Sequence, residues 1–306
     1  MVCPICSSNS YEKIMAYKFN SKMFEGRDIR QCNDCSMKFI YPMPTQEEWD
    51  LYNASYFTNA HGGLHITPWI HAYNSGLAKV RLASLVDYIK SNNLSIKKIL
   101  EIGPGPGYLM KEYLSRFPET QYYVVESDSS VHEKLNQLGA TIIEPDEIET
   151  ITDVDLLVAT HVIEHTLKPV DFLSYFSTVL RRNGCLFIEV PCLDYQYKDI
   201  FEPHVAFFDM TTLATCFEKA GFYNFQFTYN GDTISKLRIN SFIKKIIIKL
   251  QLKTKLPFRL FLGKHWPNKG RFYLDYNEAL AISETSPHII QNVKSRWIRG
   301  FGQKDT

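Results

Sequence analysis

No stretch of the 306-residue chain is apolar for long enough to span a bilayer; the nearest, "FIKKIIIKL", is broken by lysines. Also missing is the basic start, apolar core and small-residue cleavage site of a secretory leader, since the chain opens "MVCPICSSNS". These two absences predict a cytoplasmic protein. The polar, low-hydrophobicity composition of a disordered chain is absent as well: 45% of residues are apolar and 22% charged, enough to bury one large core or two modest ones. No compact RNA-binding signature such as an RRM core is visible.

Cysteine is sparse, seven in all, but unevenly placed. In a cytoplasmic chain these thiols point to metal binding or free cysteines rather than disulfides. Cys3 and Cys6 form one C-x-x-C, Cys32 and Cys35 another, and a short hairpin in the 25 residues between the pairs would return the second to the first. That is the spacing of a four-thiolate tetrahedral zinc site. With all four positions filled by protein, the zinc would be structural. Cys185, Cys192 and Cys216 lie in apolar contexts and read as small core residues.

Periodicity divides the chain into a zinc-binding module (1–45), a linker and cap region (46–74), a nucleotide-type domain (75–230) and a basic, mainly helical extension (231–306). Pro42 and Pro44 punctuate the first boundary, and Thr45 with Glu48 can cap a short helix. The stretch "LAKVRLASLVDYIKSNN" has helical spacing; after it "KKILEIG", "QYYVVES", "ATIIEP", "VDLLVATH" and "GCLFIEVP" read as strands. Between them, helices are expected from about Tyr108, in "SVHEKLNQLG" and in "VDFLSYFSTVLRR". Short apolar strands alternating with helices predict an α/β, doubly wound Rossmann-like parallel sheet covered on both faces.

Ligands of such sheets sit outside the carboxyl ends of the strands, where "GPGPG" follows the first one. Gly103, Gly105 and Gly107 do not complete the dinucleotide fingerprint, whose third glycine position is Tyr108. Pro104 and Pro106 carry no N–H, so the turn has few donors for a diphosphate. A nucleoside ligand without phosphates, such as S-adenosylmethionine, suits it better. Glu126, ending "YYVVE", is placed one strand over to accept hydrogen bonds from both ribose hydroxyls.

"LEIGPGPGYLM", "VVESD", "DVDLLVATHVIEHTLKPVDFLSYFSTVLRRNGCLFIEVP" and "EPHVAFFDMTTLATCFEKAGF" resemble the successive motifs of class I S-adenosylmethionine-dependent methyltransferases. "CPIC…CNDC" followed by "YPMPTQEEWDLYNASYF" resembles the zinc module of a subgroup that includes sugar and polysaccharide-pathway methyltransferases. The resemblance spans roughly residues 1 to 222. It implies a cofactor site built from Glu101, Gly103, Gly105, Gly107, Glu126, Asp146 and Thr160, with Thr160 and His161 facing the methyl group. His204 in "FEPHVAFF" matches the second histidine of the "YHEH" pattern of the subgroup's sugar C-methyltransferases. The family tyrosine is Phe201 here and its first histidine Glu202, so an oxygen acceptor is expected, with His204 as base and His161 lining the cleft.

"HVIEH" also spells H-x-x-E-H, a pattern of certain zinc peptidases, with His161 and His165 as ligands and Glu164 as base. It runs straight off a strand and is cut by Pro169, and the same letters belong to the methyltransferase motif. Asp194, Tyr195, Tyr197, His61, His65 and Trp69 are polar or aromatic candidates for an acceptor site. From Thr233 to Leu274 there are eleven Lys or Arg and no Asp or Glu, leaving the remainder at −10. Ile243, Ile246, Ile247 and Leu250 share a helical face there, which fits peripheral contact with an anionic membrane, attraction of an anionic small-molecule or glycan acceptor, RNA binding, or an accessory or dimer-forming helix. The sequence thus predicts a methyltransferase acting on a hydroxyl of a sugar, nucleotide sugar or surface-polysaccharide precursor. RNA methylation, sugar C-methylation and a non-catalytic binding module are the competing readings.

Overall fold

The computed structural model of the chain describes residues 2–64, 68–243, 289–290 and 293–304. In the N-terminal part, β1 (Tyr11–Ala16), β2 (Asp28–Cys32) and β3 (Lys38–Tyr41) form an antiparallel sheet. Helices α1 (Gln46–Asn53) and α2 (Tyr56–His61) follow, and α1 starts with the expected capping box between Thr45 and Glu48. A long α3 (Pro68–Ser91) then leads into β4 (Lys98–Ile102), α4 (Tyr108–Arg116), β5 (Gln121–Val125), α5 (His132–Gln137), β6 (Thr141–Ile142) and β7 (Val154–Thr160). The chain continues through α6 (Pro169–Ser177), β8 (Leu180–Pro191), β9 (Ala206–Phe207), α7 (Met210–Lys219) and β10 (Phe222–Thr233), and ends in β11 (Ile289–Ile290) and β12 (Ser295–Lys304).

The main sheet has the order β6-β5-β4-β7-β8-β12-β10-β11. From β6 to β8 every pairing is parallel, whereas β12 runs antiparallel to both of its neighbours. The strands are apolar on both faces because both are covered. Leu156 and Val158 point into a core with Leu85, Met110 and Leu135 of α3, α4 and α5; Leu157 and Ala159 point into the opposite core with Leu173 and Leu213 of α6 and α7. Each such fully buried aliphatic side chain contributes about 1.5–3 kcal/mol. Cys185, Cys192 and Cys216 are buried in these cores as expected.

Three boundaries differ from the sequence reading. The helix read across "VDFLSYFSTVLRR" ends at Ser177, and its last residues open β8, because Leu180 pairs with Val154 of the neighbouring strand. The division at residue 230 cuts β10, and the segment placed in a mainly helical extension supplies β12, in the middle of the sheet. Its pairing partners lie more than 60 residues back in sequence, and its "SRWIRGFGQK" has neither strict alternation nor an apolar run. An ion pair makes it a core strand: Arg299, 2% exposed, reaches Glu189 Oε2 at 2.5 Å, and Glu189 Oε1 takes Arg81 of α3 at 2.6 Å.

The third difference concerns the segment around His204, expected to supply the base to the acceptor. It is woven into the N-terminal module instead. β9 pairs with β3 as a fourth strand of the small sheet, Ile40 N–H donates to Val205 O, and Phe201 N–H donates to Lys18 O. Tyr17 donates its hydroxyl to His204 O at 2.9 Å. Residues 234–243 are helical, and Ile246, Ile247 and Leu250 of the expected amphipathic face lie outside the described residues, as does His65; nothing is described of the Trp69 side chain. No helix among the described residues is long and apolar enough to cross a membrane.

Candidate functional site

A cleft of about 510 Å³ opens at the carboxyl ends of β4 and β5. Gly103, Gly105, Val125, Glu126 and Val162 line its floor, and Trp49, Tyr56 and Phe57 of the cap helices line its roof. All three loop glycines have left-handed φ, +61°, +53° and +75°, a conformation strained for other residues. They differ in what surrounds them. A side chain on Gly107 would meet Leu138 and Leu135 at 2.9 and 3.0 Å, so this glycine serves the packing of α4 on α5 and does not border the cleft. Gly105 faces the roof, with Phe57 3.5 Å from where a Cβ would stand.

Glu126 accepts Gly105 N–H at Oε2 and Asp128 N–H at Oε1, both at 3.0 Å. Each carboxylate oxygen keeps a lone pair for a further donor. Burial raises its pKa above the ordinary carboxylate value. The roof is fixed from the same loop, since Phe57 N–H donates to Asp128 Oδ2 at 2.8 Å. A negative carboxylate beside a turn carrying two prolines repels a diphosphate and suits a ribose with two free hydroxyls. The residues present therefore fit S-adenosylmethionine, for which Gly103, Gly105 and Glu126 are the expected holders. Glu126→Ala is expected to raise the dissociation constant for S-adenosylmethionine about a hundredfold, since a hydrogen bond to a charged group contributes about 1.5–3 kcal/mol. Titration calorimetry reads this directly, and an unchanged affinity would remove Glu126 from the ribose.

Three other expected cofactor residues stand off the cleft. Glu101 is 2% exposed, accepts the Tyr122 hydroxyl at 2.7 Å, and is pushed up to about 7 by burial. Asp146 is exposed in the turn after β6, where its neighbour Pro145 lines the cleft. Thr160 ends β7 opposite Glu189, and the next residue reaches the cleft.

That residue is His161. It borders both the cofactor cleft and a second cavity of about 760 Å³, whose other described lining includes Tyr197, Lys198, Asn240, Arg296 and Trp297. Its backbone sits at φ +58°, in the left-handed region that few non-glycine residues adopt and that histidine enters more readily than most. Nδ1 lies 3.1 Å from Glu164 Oε1 and Nε2 lies 3.2 Å from Glu189 Oε1. Burial works against its charged form, but the bonds to the two carboxylates outweigh this and raise its pKa above the usual histidine value. Glu189 itself is held well below the carboxylate range: burial would raise it, but Arg81 and Arg299 more than compensate. Sequence reasoning missed this pair-of-arginines cradle, which is visible only once β12 is in the sheet.

His204 is 6% exposed and borders neither cavity among the described residues. Its Nδ1 faces Asp194 Oδ2 at 2.7 Å, its ring packs edge-on against His165 at 4.8 Å, and Asp194 also holds Lys198 at 2.8 Å. Burial alone would raise Asp194, but His204 and Lys198 hold it well below the usual range. The H-x-x-E-H letters do not lie on one helix: His161 follows a strand, and Glu164 and His165 sit in a 3-10 turn, so the peptidase arrangement is not formed. Of the remaining acceptor candidates, Tyr195 packs edge-on against Phe207, and His61 packs edge-on against Tyr56 in the cap.

The four N-terminal thiols converge. Cys3 and Cys35 sulfurs are 3.5 Å apart, as are Cys6 and Cys32, and all four lie within 4.8 Å of one another. Each C-x-x-C closes the same tight knuckle, Ser7 N–H to Cys3 O and Ser36 N–H to Cys32 O, both at 3.0 Å. Tetrahedral zinc with bonds of about 2.3 Å spaces its sulfurs by roughly 3.8 Å. The donor set fits that ion, which would be coordinatively saturated.

Solved structures of similar fold include the plantazolicin methyltransferase BamL in complex with a triazolic desmethylPZN analog and SAH, 13% identical, covering 85% of this chain and 97% of that one at a TM-score of 0.50. A SAM-dependent methyltransferase from Thermotoga maritima is 14% identical over 78% of this chain and 91% of its own, at a TM-score of 0.47. Another, from Archaeoglobus fulgidus, is 15% identical over 75% and 94%, also at 0.47. No curated protein matches the sequence. Residues 73–226, half of the chain, match the family model described as a methyltransferase domain, and the chain belongs to this family of S-adenosylmethionine-dependent methyltransferases.

Proposed function

We propose that the protein methylates a hydroxyl of a sugar, nucleotide sugar or surface-polysaccharide precursor held in the cavity beside His161. The observation that carries this reading is the position of His161, on the boundary between the cofactor cleft and a cavity large enough for such an acceptor. When bound, the cofactor supplies an electrophilic methyl group on its sulfonium. The protein's part is then to align the nucleophile and take its proton. Tyr197 and Trp297 offer aromatic faces to a sugar ring, and Lys198 and Arg296 offer cations to a phosphoryl or carboxylate group.

Of the two expected catalytic histidines, His161 is the one whose side chain, a third exposed, meets the cavities. In this reading it takes the acceptor proton at Nε2, in the neutral form that keeps Nδ1–H on Glu164 and has given up the Nε2 contact with Glu189. His204 lies behind it and acts on the architecture of the site. Oxygen rather than carbon as the acceptor atom is favoured by Phe201, which brings no hydroxyl, and by Glu202, which is committed to Asn20 N–H, Ser21 N–H and the Tyr52 hydroxyl. The four-thiol site holds a structural zinc in the same reading.

The test is transfer of a labelled methyl group from S-adenosylmethionine to a panel of nucleotide sugars and glycans, beside RNA, with the product's bond identified by mass spectrometry. Saturable O-methylation of a sugar is the expected result. Label confined to RNA, or found on sugar carbon, would overturn the acceptor assigned here while leaving the methyltransferase fold intact.

A further inference from the structure

Beside His161, at the edge of the cleft that His165 helps to line, three metal-ligating side chains meet, none of which touches the acceptor in the reading above. Glu164 and His165 come from the turn after β7, and His204 from the loop before β9. One ligating atom of each lies within 4.8 Å of the others. Glu164 is 1% exposed, and although its Oε1 faces His161, its Oε2 has no hydrogen-bond partner among the described residues. A buried carboxylate oxygen left without a partner is costly, and a cation beside it removes the cost.

The histidines are oriented as ligands are. His204 Nδ1 lies 2.7 Å from Asp194 Oδ2, within ion-pair distance though not aligned as a hydrogen bond, and His165 Nδ1 lies 3.4 Å from the Pro203 carbonyl. In each ring this leaves Nε2 to bind, and the carboxylate or carbonyl behind the other nitrogen is the outer partner that metal-bound imidazoles usually have. His165 Nε2 already faces Glu164 Oε1 at 3.9 Å. Bonds of about 2.0–2.2 Å to a central ion require each ligating atom to close by roughly an ångström or less.

We propose that Glu164, His165 and His204 form a second metal site, distinct from the four cysteines, for a divalent first-row transition ion such as Zn²⁺. Two imidazoles and one carboxylate are the donor set of borderline ions rather than of Mg²⁺ or Ca²⁺. Three protein ligands leave at least one position open, unlike the saturated thiolate site. The ion would tie the turn carrying His165, which lines the cofactor cleft, to the acceptor-side loop carrying His204. The inference stands on the ligand geometry alone and does not depend on which acceptor is methylated.

Metal content of the full-length protein, loaded with Zn²⁺ and freed of excess, tests it. Two equivalents are expected in the native sequence, falling to one in His165→Ala and in His204→Ala. Asp194→Asn should keep the second equivalent but weaken it about 10–100-fold, as loss of an outer partner does. One equivalent in the native sequence, or two in both histidine variants, would overturn the site. Should the histidine variants fail to fold, Co²⁺ added to the native protein carrying a single equivalent of Zn²⁺, which fills the saturated four-thiol site first, decides: visible d–d bands without thiolate-to-cobalt charge transfer support it, and their absence, or charge transfer alone, sinks it.

Discussion

Replacing Cys32 with serine is expected to abolish the zinc binding proposed for the four-thiol site and to loosen the whole N-terminal module, while the eight-stranded sheet stays folded. The expected effect is large because, in small zinc domains, the apparent binding energy of the ion, about 10–16 kcal/mol, is also folding energy. The module is not wholly dependent on it. Phe24, Ile29, Phe39 and Ile40 are fully buried in its interior, and Trp49 stacks on Tyr52 beside them, so collapse should be partial. Hydrogen exchange separates the two domains: amides of β1 and β2 should lose protection, and those of β4 and β7 should keep it. The third strand carries the consequence across the molecule, because β3 pairs with β9 and Tyr17 holds the His204 carbonyl. Exchange in the segment around Phe207 should therefore rise together with that in β2. Unchanged protection in a variant that has lost the ion would show that the thiol site does not hold the acceptor-side loop in place.

How far the sequence could be read follows from the range of the interactions. The turn after β4 was legible because its needs are local: left-handed backbone requires glycine, and two prolines remove the donors that a diphosphate would use. The four cysteines were legible because ligand spacing is set by knuckle geometry. What was not legible depends on contacts distant in sequence. β12 has no strand-like pattern, and Arg299 would be read as a surface residue unless its partner Glu189, 110 positions away, is known. His204 had the right neighbours in sequence for a catalytic base. Its burial comes from pairing with an N-terminal strand more than 160 residues earlier, which no local pattern announces.

The same long-range network shapes the largest expected effect on turnover. His161→Ala should lower kcat by about 10²–10⁴-fold, the usual contribution of a positioned proton acceptor, with the affinity for S-adenosylmethionine changed by no more than about twofold. The affinity should hold if, as expected, Gly103, Gly105 and Glu126 carry the cofactor, because His161 lines the second cavity as well as the cleft. A purely structural role for the histidine makes a different forecast. Its ring bridges Glu164 and Glu189, so its loss would perturb both carboxylates and reduce stability and cofactor binding together. Two further measurements separate the roles. His161→Asn keeps a residue that tolerates the left-handed backbone at φ +58°, so its activity reports on the imidazole without the strain of an unsuitable residue. Added imidazole should restore part of the activity of His161→Ala, entering from the 760 Å³ cavity that the ring borders. Glu189→Gln is the wrong variant for this purpose, because it leaves Arg81 and Arg299 facing a neutral group in the core and costs about 3–5 kcal/mol of stability before any chemistry is tested. Full activity in both His161 variants would move proton transfer to another group on the cavity wall; loss of activity with intact cofactor affinity, rescued by imidazole, would fix it at His161.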